Sequence, residues 1–283
     1  CVFGLGCGDG PFTHDGCAGT PDDVLDGDAA GRWAIDEMAV LEPDGLFGPT
    51  EEFGREATEL SGRPAGAVRF VLVTKTVDVE RVREAIRAGA ADLGENKVQE
   101  GRCKAEALAD PAVRWSMIGH LQSNKVKDVL RFAREVQSLD RLSLAAALEK
   151  RLQHLGRPLD VLVQVNTSGE PSKFGLSPES VPGFLRELSS FDALRPKGFM
   201  TLATFTPDEA EVRRCFRVLR GIRDRALNDA PQGAALGELS MGMSGDYRWA
   251  VEEGATIVRV GQAVFGARPL PDSHYWPGVA GTR

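Results

Sequence analysis

The alternation of apolar and polar positions becomes regular at Arg69-Phe-Val-Leu-Val-Thr-Lys-Thr76. A short apolar run there stops on a polar Thr74-Lys75-Thr76 step and gives way to a helical pattern. β-Branched and aromatic residues bounded in this way predict a buried strand, with Lys75 where it runs out. Asp78 then caps a helix with an apolar face of Val82, Ile86 and Ala90, and Gly89 lies near its end. A short strand around Asp92-Leu93 leads through Gly94-Glu95-Asn96 into a helix ending near Leu108. Residues 114–118 form a third strand ending in Gly119-His120, and Ser123 caps a helix through Phe132. The fourth strand, Glu135–Leu139, ends on Asp140, and its helix stops at Gly156. Residues 159–165 make the strongest strand, ending on Asn166, and a polar loop over 167–176 leads to a helix start at Ser177-Pro178. Strands over 196–200, 238–241 and 256–260 complete the set, with helices predicted over 208–228 and 246–253.

Eight strand–helix units in succession predict parallel strands, because parallel neighbours need helical crossovers. Eight such units close into a (β/α)8 barrel of the TIM type. A doubly wound open sheet is the competitor, but it usually carries a Gly-rich phosphate turn after its first strand, and none follows here. The α/β barrel is therefore assigned to residues 59–283. Residues 1–58, rich in Gly and Asp without periodicity, are expected to be a largely irregular and poorly ordered extension. Trp33, Phe47 and Phe53 stand among acids there and find no assignment to an element.

Composition narrows the function. With 42% hydrophobic and 27% charged residues the chain is that of a globular protein, and no apolar run reaches the ~20 residues of a membrane span. No secretory signal is visible, and five cysteines without a Cys-x-x-Cys pair favour free thiols in a reducing compartment. Cys1, Cys7, His14 and Cys17 fit no usual zinc spacing. Cys103 and Cys215 fall in helical runs as small apolar groups. Residues 1–60 hold 14 acidic and 2 basic side chains, so the net charge of −7 hides a mildly basic body. That body suits a small anionic ligand. It lacks the Lys/Arg clusters interleaved with aromatics that mark nucleic-acid binding.

In such a barrel chemistry gathers where the strands end. The ends here carry Lys75, Glu95-Asn96, Gly119-His120, Asp140, Asn166, Met200-Thr201, 241–244 and 259–261. Ser240-Met-Gly-Met-Ser-Gly-Asp246 combines two glycines, a serine hydroxyl and a helix start, a setting for a phosphate. Arg259-Val-Gly-Gln262 adds a glycine turn on the next strand, where barrels often hold phosphate. Taken alone, Lys75 reads as a solvated strand-end lysine. Beside a phosphate cradle it suits pyridoxal 5′-phosphate, whose aldehyde condenses with an amine. Arg259, reaching the pyridine nitrogen, would disfavour its protonation and weaken the ring as a sink for carbanion charge.

Six ordered motifs then carry a family resemblance over about residues 60–268: Val73-Thr-Lys-Thr76, Gly94-Glu-Asn-Lys-Val-Gln-Glu100, Ile118-Gly-His-Leu-Gln-Ser-Asn-Lys125, Ser172-Lys-Phe-Gly-Leu176, Leu239-Ser-Met-Gly-Met-Ser-Gly-Asp246 and Val258-Arg-Val-Gly-Gln-Ala-Val-Phe-Gly-Ala-Arg268. They resemble the pyridoxal phosphate homeostasis proteins, also called proline synthetase co-transcribed homologues, a family similar to the N-terminal barrel domain of alanine racemase. The resemblance implies pyridoxal phosphate held as an internal aldimine on Lys75. It implies phosphate contacts from Ser244, Gly245 and the Gly261-Gln262 turn, Arg259 at the pyridine nitrogen, and Asn96 and Met241 lining the cofactor. It further implies a monomeric cytoplasmic carrier or buffer of the cofactor, without established turnover, whose partners are the cofactor and the apo-enzymes that use it. A single-domain amino-acid racemase is the alternative. Racemisation wants two bases on opposite faces of the substrate. The 15 residues after Arg268, with His274 and Tyr275, are too few for the added domain that supplies the second base in alanine racemase. The chain departs from the family at Gln262, where a hydroxyl residue is usual, at Lys97, often an aromatic, and at Thr74, often a serine. A long amphipathic first helix is also expected where the acidic segment stands.

Overall fold

A computed structural model describes residues 49–229 and 235–266. Cys1, Cys7, His14, Cys17, Trp33, Phe47, Arg268, His274 and Tyr275 lie outside the described residues, as does most of the acidic extension. Eight parallel strands, β1 (Arg69–Val73), β2 (Asp92–Glu95), β3 (Arg114–Met117), β4 (Glu135–Leu139), β5 (Leu159–Gln164), β6 (Leu194–Met200), β7 (Glu238–Met243) and β8 (Ile257–Val260), pair in chain order into a closed barrel. Around them run α1 (Pro49–Ser61), α2 (Val79–Arg87), α3 (Val98–Leu108), α4 (Val126–Val129), α5 (Leu142–Leu155), α6 (Val181–Leu188), α7 (Glu209–Asp229), α8 (Tyr247–Glu252) and α9 (Gln262–Phe265).

The period-2 pattern sorts side chains to the two faces of the sheet. Phe70, Leu72, Trp115, Met117, Val136, Leu239, Met241, Val258 and Val260 join the large core between strands and helices. The alternate positions point into the barrel. Val71, Leu162, Met200 and Ile257 form a small apolar cluster of their own. Ser116, Glu135, Gln137, Ser240 and Arg259 are buried there and bonded to one another.

Three expectations need correction. First, residues 49–58 are not irregular: α1 begins at Pro49 and lies against α8 and β1. Ala57 is buried, and Glu56 takes a hydrogen bond from the Tyr247 hydroxyl and an ion pair from Arg248 at 2.6 Å. Burial, then the bond to Glu56, pushes the Tyr247 phenol up to about 12, so it remains a donor at physiological pH. The first helix expected of the family is therefore present and covers the face where β8 meets β1. Second, Ser123 caps no long helix. Ser123–Lys125 is a 3₁₀ turn with Gln122 at its N-cap, and α4 is one turn long. Tight bonds from Arg131 N–H to the Asp128 carbonyl and from Phe132 N–H to the Val129 carbonyl end it, and Phe132 turns inward to meet Trp115 edge-on at 6.2 Å. Third, β7 runs on to Met243 instead of stopping at Met241.

The amino-terminal mouth of the barrel is plugged by charge. Arg69 bonds Asp92 (2.9 Å) and Glu135 (2.8 Å), Arg114 bonds Glu135 (2.9 Å) and Asp160 (3.4 Å), and Arg195 bonds Asp160 (2.8 Å). Burial alone would push the Glu135 carboxyl up, but Arg69 and then Arg114 and Gln137 hold it below its ordinary value. A carboxylate with a depressed folded-state pKa contributes stability above its unfolded pKa and loses it as pH falls through the folded value. Glu135→Gln is accordingly expected to lower the unfolding free energy at pH 7 by about 2–4 kcal/mol. The same substitution should flatten the loss of stability below about pH 4.5, as urea titrations at a series of pH values will show.

Candidate functional site

Barrel closure sets the site. β8 pairs with β1 in the register Leu72↔Val260, which carries the two strands to a common end. Beyond β1, residues Thr74 to Val77 form a turn closed by the Val77 N–H on the Thr74 carbonyl at 3.0 Å. Lys75 occupies the second position of this turn, and Thr76 follows in the left-handed region at φ 64°. A β-branched residue there costs on the order of 1–3 kcal/mol and persists only where its surroundings hold it. Beyond β8, Gly261 lies directly against β1. A Cβ on Gly261 would stand 3.1 Å from the Val73 carbonyl oxygen and 3.3 Å from the Val73 Cβ. The lysine turn and the glycine turn are thus neighbours at one lip.

The end of β7 is shaped by a bulge. Between the pairs Ser240↔Ile257 and Met243↔Arg259 the bulged strand advances three residues against two. Gly242 makes this bulge possible. Its φ is 92°, and a Cβ would fall 2.5 Å from that of Ala250. The bulge delivers Ser244 to the lip, where its Oγ accepts the backbone N–H groups of Gly261 (3.1 Å) and Ala263 (3.2 Å). A serine hydroxyl has two acceptor lone pairs and one donor. Both acceptor positions are filled, so the remaining O–H serves as a donor, as an anion's oxygen requires. Asp246 closes the turn by accepting the Met243 N–H at 2.5 Å, and burial pushes its carboxyl up against the pull of that bond and of Arg259. Gly245 is exposed with open space around it, and Gln262 opens α9 half-buried.

Arg259 points inward under this lip. It is 3% exposed, and its guanidinium donates to Ser240 Oγ at 2.6 Å and to the Thr201 carbonyl at 2.8 Å. Burial lowers its pKa to about 10, with Asp246 pulling the other way, so it stays a cation at neutral pH. Ser240 in turn donates to Gln137 Oε1 at 2.7 Å, and Gln137 donates to Glu135 Oε2 at 2.7 Å. The floor of the mouth is therefore tied to the charged plug at the far end.

The remaining strand ends divide. Asn96 Oδ1 and His120 Nδ1 are buried without a hydrogen-bond partner among the described residues. Buried unpaired atoms of this kind call for a ligand or water. His120 stacks on Phe174 at 3.8 Å between ring centroids, and its Nδ1 is 3.4 Å from Asp140 Oδ2. Phe174, 55% exposed, was not singled out from sequence, although an exposed aromatic inside the polar Ser172–Leu176 motif was a readable signal. Asn166 is committed to its own loop, bonding the Glu170 carbonyl at 2.8 Å and the Gly169 N–H at 3.0 Å. Met241 is fully buried and belongs to the large core cluster. Among the described residues no group of three His, Cys, Asp or Glu side chains could hold a metal ion, and no helix is long and apolar enough to cross a membrane.

The parallel barrel thus brings the Lys75 turn, the Ser244 and Gly261 turns and the buried Arg259 to one mouth. The chain belongs to the family of the alanine racemase N-terminal domain, whose model matches residues 55–269. Within it, the chain is 41% identical over 214 residues to a Pseudomonas aeruginosa protein named pyridoxal phosphate homeostasis protein, covering 76% of this chain and 90% of that one. A protein of the same name from Aquifex aeolicus is 39% identical over 214 residues, covering 76% and 93%. PipY of Synechococcus elongatus, solved with PLP bound, superposes with a TM-score of 0.67 at 32% identity over 75% of this chain and 99% of that one.

The two glycines of the β7 end separate cleanly in what they do. Gly242→Ala is expected to cost about 2–4 kcal/mol of unfolding free energy from the forced φ and the collision with Ala250. Gly245→Ala should stay within about 0.5 kcal/mol of the parent protein in the same denaturation experiment.

Proposed function

We propose that this protein binds pyridoxal 5′-phosphate at the carboxyl-terminal mouth of its barrel, covalently through the ε-amine of Lys75. We propose further that it holds and releases the cofactor in the cell as a carrier or buffer. The observation that carries this reading is the seating of Gly261 against Val73, two residues before Lys75, with Ser244 bonded to the same glycine turn. The lysine turn and an anion cradle share one lip, which supports a ligand that carries both an aldehyde and a phosphate. The residues fit the group in kind. Ser244 offers a hydroxyl proton, the Gly261-Gln262 turn and Gly245 offer backbone to a phosphate, Arg259 offers a donor to the ring nitrogen, and Asn96 stands with an unpaired oxygen.

When bound, the cofactor supplies an electron sink for negative charge at the α-carbon of an amino acid. The protein's own contribution is to restrain that sink. A permanent cation at the ring nitrogen disfavours protonation there, so the ring draws charge less strongly. This supports storage over turnover, as do the names of the homologues. In this reading the protein is a cytoplasmic monomer, and its partners are apo-enzymes that take up the cofactor.

Incubation with pyridoxal 5′-phosphate should give a yellow protein whose near-visible absorption is lost in Lys75→Ala. Borohydride reduction and peptide mapping should place the cofactor's mass on the peptide bearing Lys75. A colourless wild-type protein, or mass on another lysine, rejects the assignment. Chiral analysis after incubation with L- or D-alanine separates carrier from racemase: turnover above about 1 per second, within the usual enzyme range, overturns the carrier role.

A further inference from the structure

Directly under the Lys75 turn lies a buried ionic cluster that none of the roles above uses. Lys104 of α3 is 5% exposed, and its ammonium donates to the Thr74 carbonyl (2.5 Å), Glu95 Oε1 (2.8 Å) and Glu100 Oε1 (2.6 Å). An ammonium has three N–H donors, and these three acceptors fill it. Glu95 Oε1 also accepts the Thr74 hydroxyl at 2.6 Å, and Glu100 Oε1 accepts the Thr76 N–H at 2.7 Å. Lys75 is therefore flanked on both sides by residues tied to one lysine. Thr74 is gripped by its carbonyl and hydroxyl, and Thr76, the residue in the unfavourable left-handed conformation, by its amide.

Stability does not account for the cluster. Buried ion pairs are often matched or exceeded by apolar side chains of the same volume. Glu95 moreover keeps Oε2 buried with no partner among the described residues, and burial pushes its carboxyl up despite Lys104. A fold that bears this cost next to a strained turn is specifying a shape. The Gly94–Glu100 motif acquires a purpose in both of its glutamates, which bracket Asn96.

We propose that Glu95, Glu100 and Lys104 are positioning residues that clamp the Lys75 turn and fix where its amine meets a ligand aldehyde, which deepens the pyridoxal phosphate reading and rests on it for the ligand's identity. The test compares Lys104→Met, Glu100→Ala and Glu100→Gln with Leu148→Ala, a fully buried residue of α5 on the far side of the barrel. Two quantities are read beside the melting temperature. One is the rate at which an amine-reactive reagent labels Lys75 in cofactor-free protein, resolved by peptide mapping; the other is the dissociation constant for pyridoxal 5′-phosphate. Lys104→Met and Glu100→Ala should weaken binding by about tenfold or more and alter Lys75 labelling by about threefold or more. Glu100→Gln, which keeps an acceptor for the Thr76 N–H, should recover most of what Glu100→Ala loses. Leu148→Ala should lower the melting temperature and leave both readouts at wild-type values. Wild-type labelling and affinity in Lys104→Met and Glu100→Ala, or equal losses in Leu148→Ala, overturn the clamp. Should Lys104→Met fail to fold, the two variants of the partly exposed Glu100 decide the matter. A wild-type protein that takes up no cofactor sinks the function proposed above, and the labelling rates then decide the clamp alone.

Discussion

The hydrogen bonds that join β8 to β1 are the constraint on which the rest of the mouth depends. Every other neighbouring pair of strands is also consecutive in the chain, but this last pairing brings together segments nearly 190 residues apart: Arg69 opposite Ile257 and Leu72 opposite Val260. It seats Gly261 on Val73 and so places the lysine turn beside the glycine turns. α1 reinforces the seam from outside through Glu56, and Arg63 does so by donating to the Ala255 carbonyl at 2.8 Å. The first helix and the last strands are thus one structural unit, although the intervening chain makes the whole circuit of the barrel.

The strands were readable because a buried parallel strand announces itself as a short apolar, β-branched run between polar ends; all eight are present, with β6 beginning two residues earlier and β7 ending two residues later than the pattern puts them. The helical caps were less secure. Asp78 does accept the Arg81 N–H at 2.9 Å, whereas Ser123 makes no cap, because the inward turn of Phe132 outweighs the local signal. The helix at Pro49–Ser61 escaped notice because its charged sequence continues the acidic segment before it, and its anchors, Tyr247 and Arg248, lie far along the chain. Strand ends single out Lys75 and Arg259 as candidates, but sequence has no means of showing which way an inserted residue turns a strand. Gly242 reads as part of an anion-binding turn and is in fact the pivot of a bulge. The same insertion hides the donor character of Ser244. The grip of Lys104 on Thr74 joins residues 30 apart with no periodicity to betray it.

The two ends of the barrel divide the labour. At the amino-terminal end, arginines and carboxylates neutralise one another in pairs, and the one buried oxygen there without a hydrogen bond among the described residues, Glu238 Oε2, lies 3.7 Å from the Arg69 guanidinium. At the carboxyl-terminal end more polar atoms are left over: Asn96 Oδ1, His120 Nδ1 and Glu95 Oε2 are all buried without a hydrogen bond among the described residues. Paired charge prevails at one end and leftover polar atoms at the other. Such asymmetry follows from the architecture, since loops after the strands vary freely while the opposite rim must seal the core.

Between the two ends runs a column of side chains with a single sense. Arg259 donates a hydrogen bond to Ser240, Ser240 to Gln137, and Gln137 to Glu135, every donor facing the same way down the axis. Because an arginine accepts nothing, the head of the column dictates the orientation of each member below it, including which end of the Gln137 amide is oxygen. A side chain at position 135 able only to donate would set two donors face to face somewhere along the line, and the mismatch would travel to the guanidinium. The side chain at the sealed rim is in that sense answerable to the opposite mouth, through a conduit no wider than one hydrogen bond.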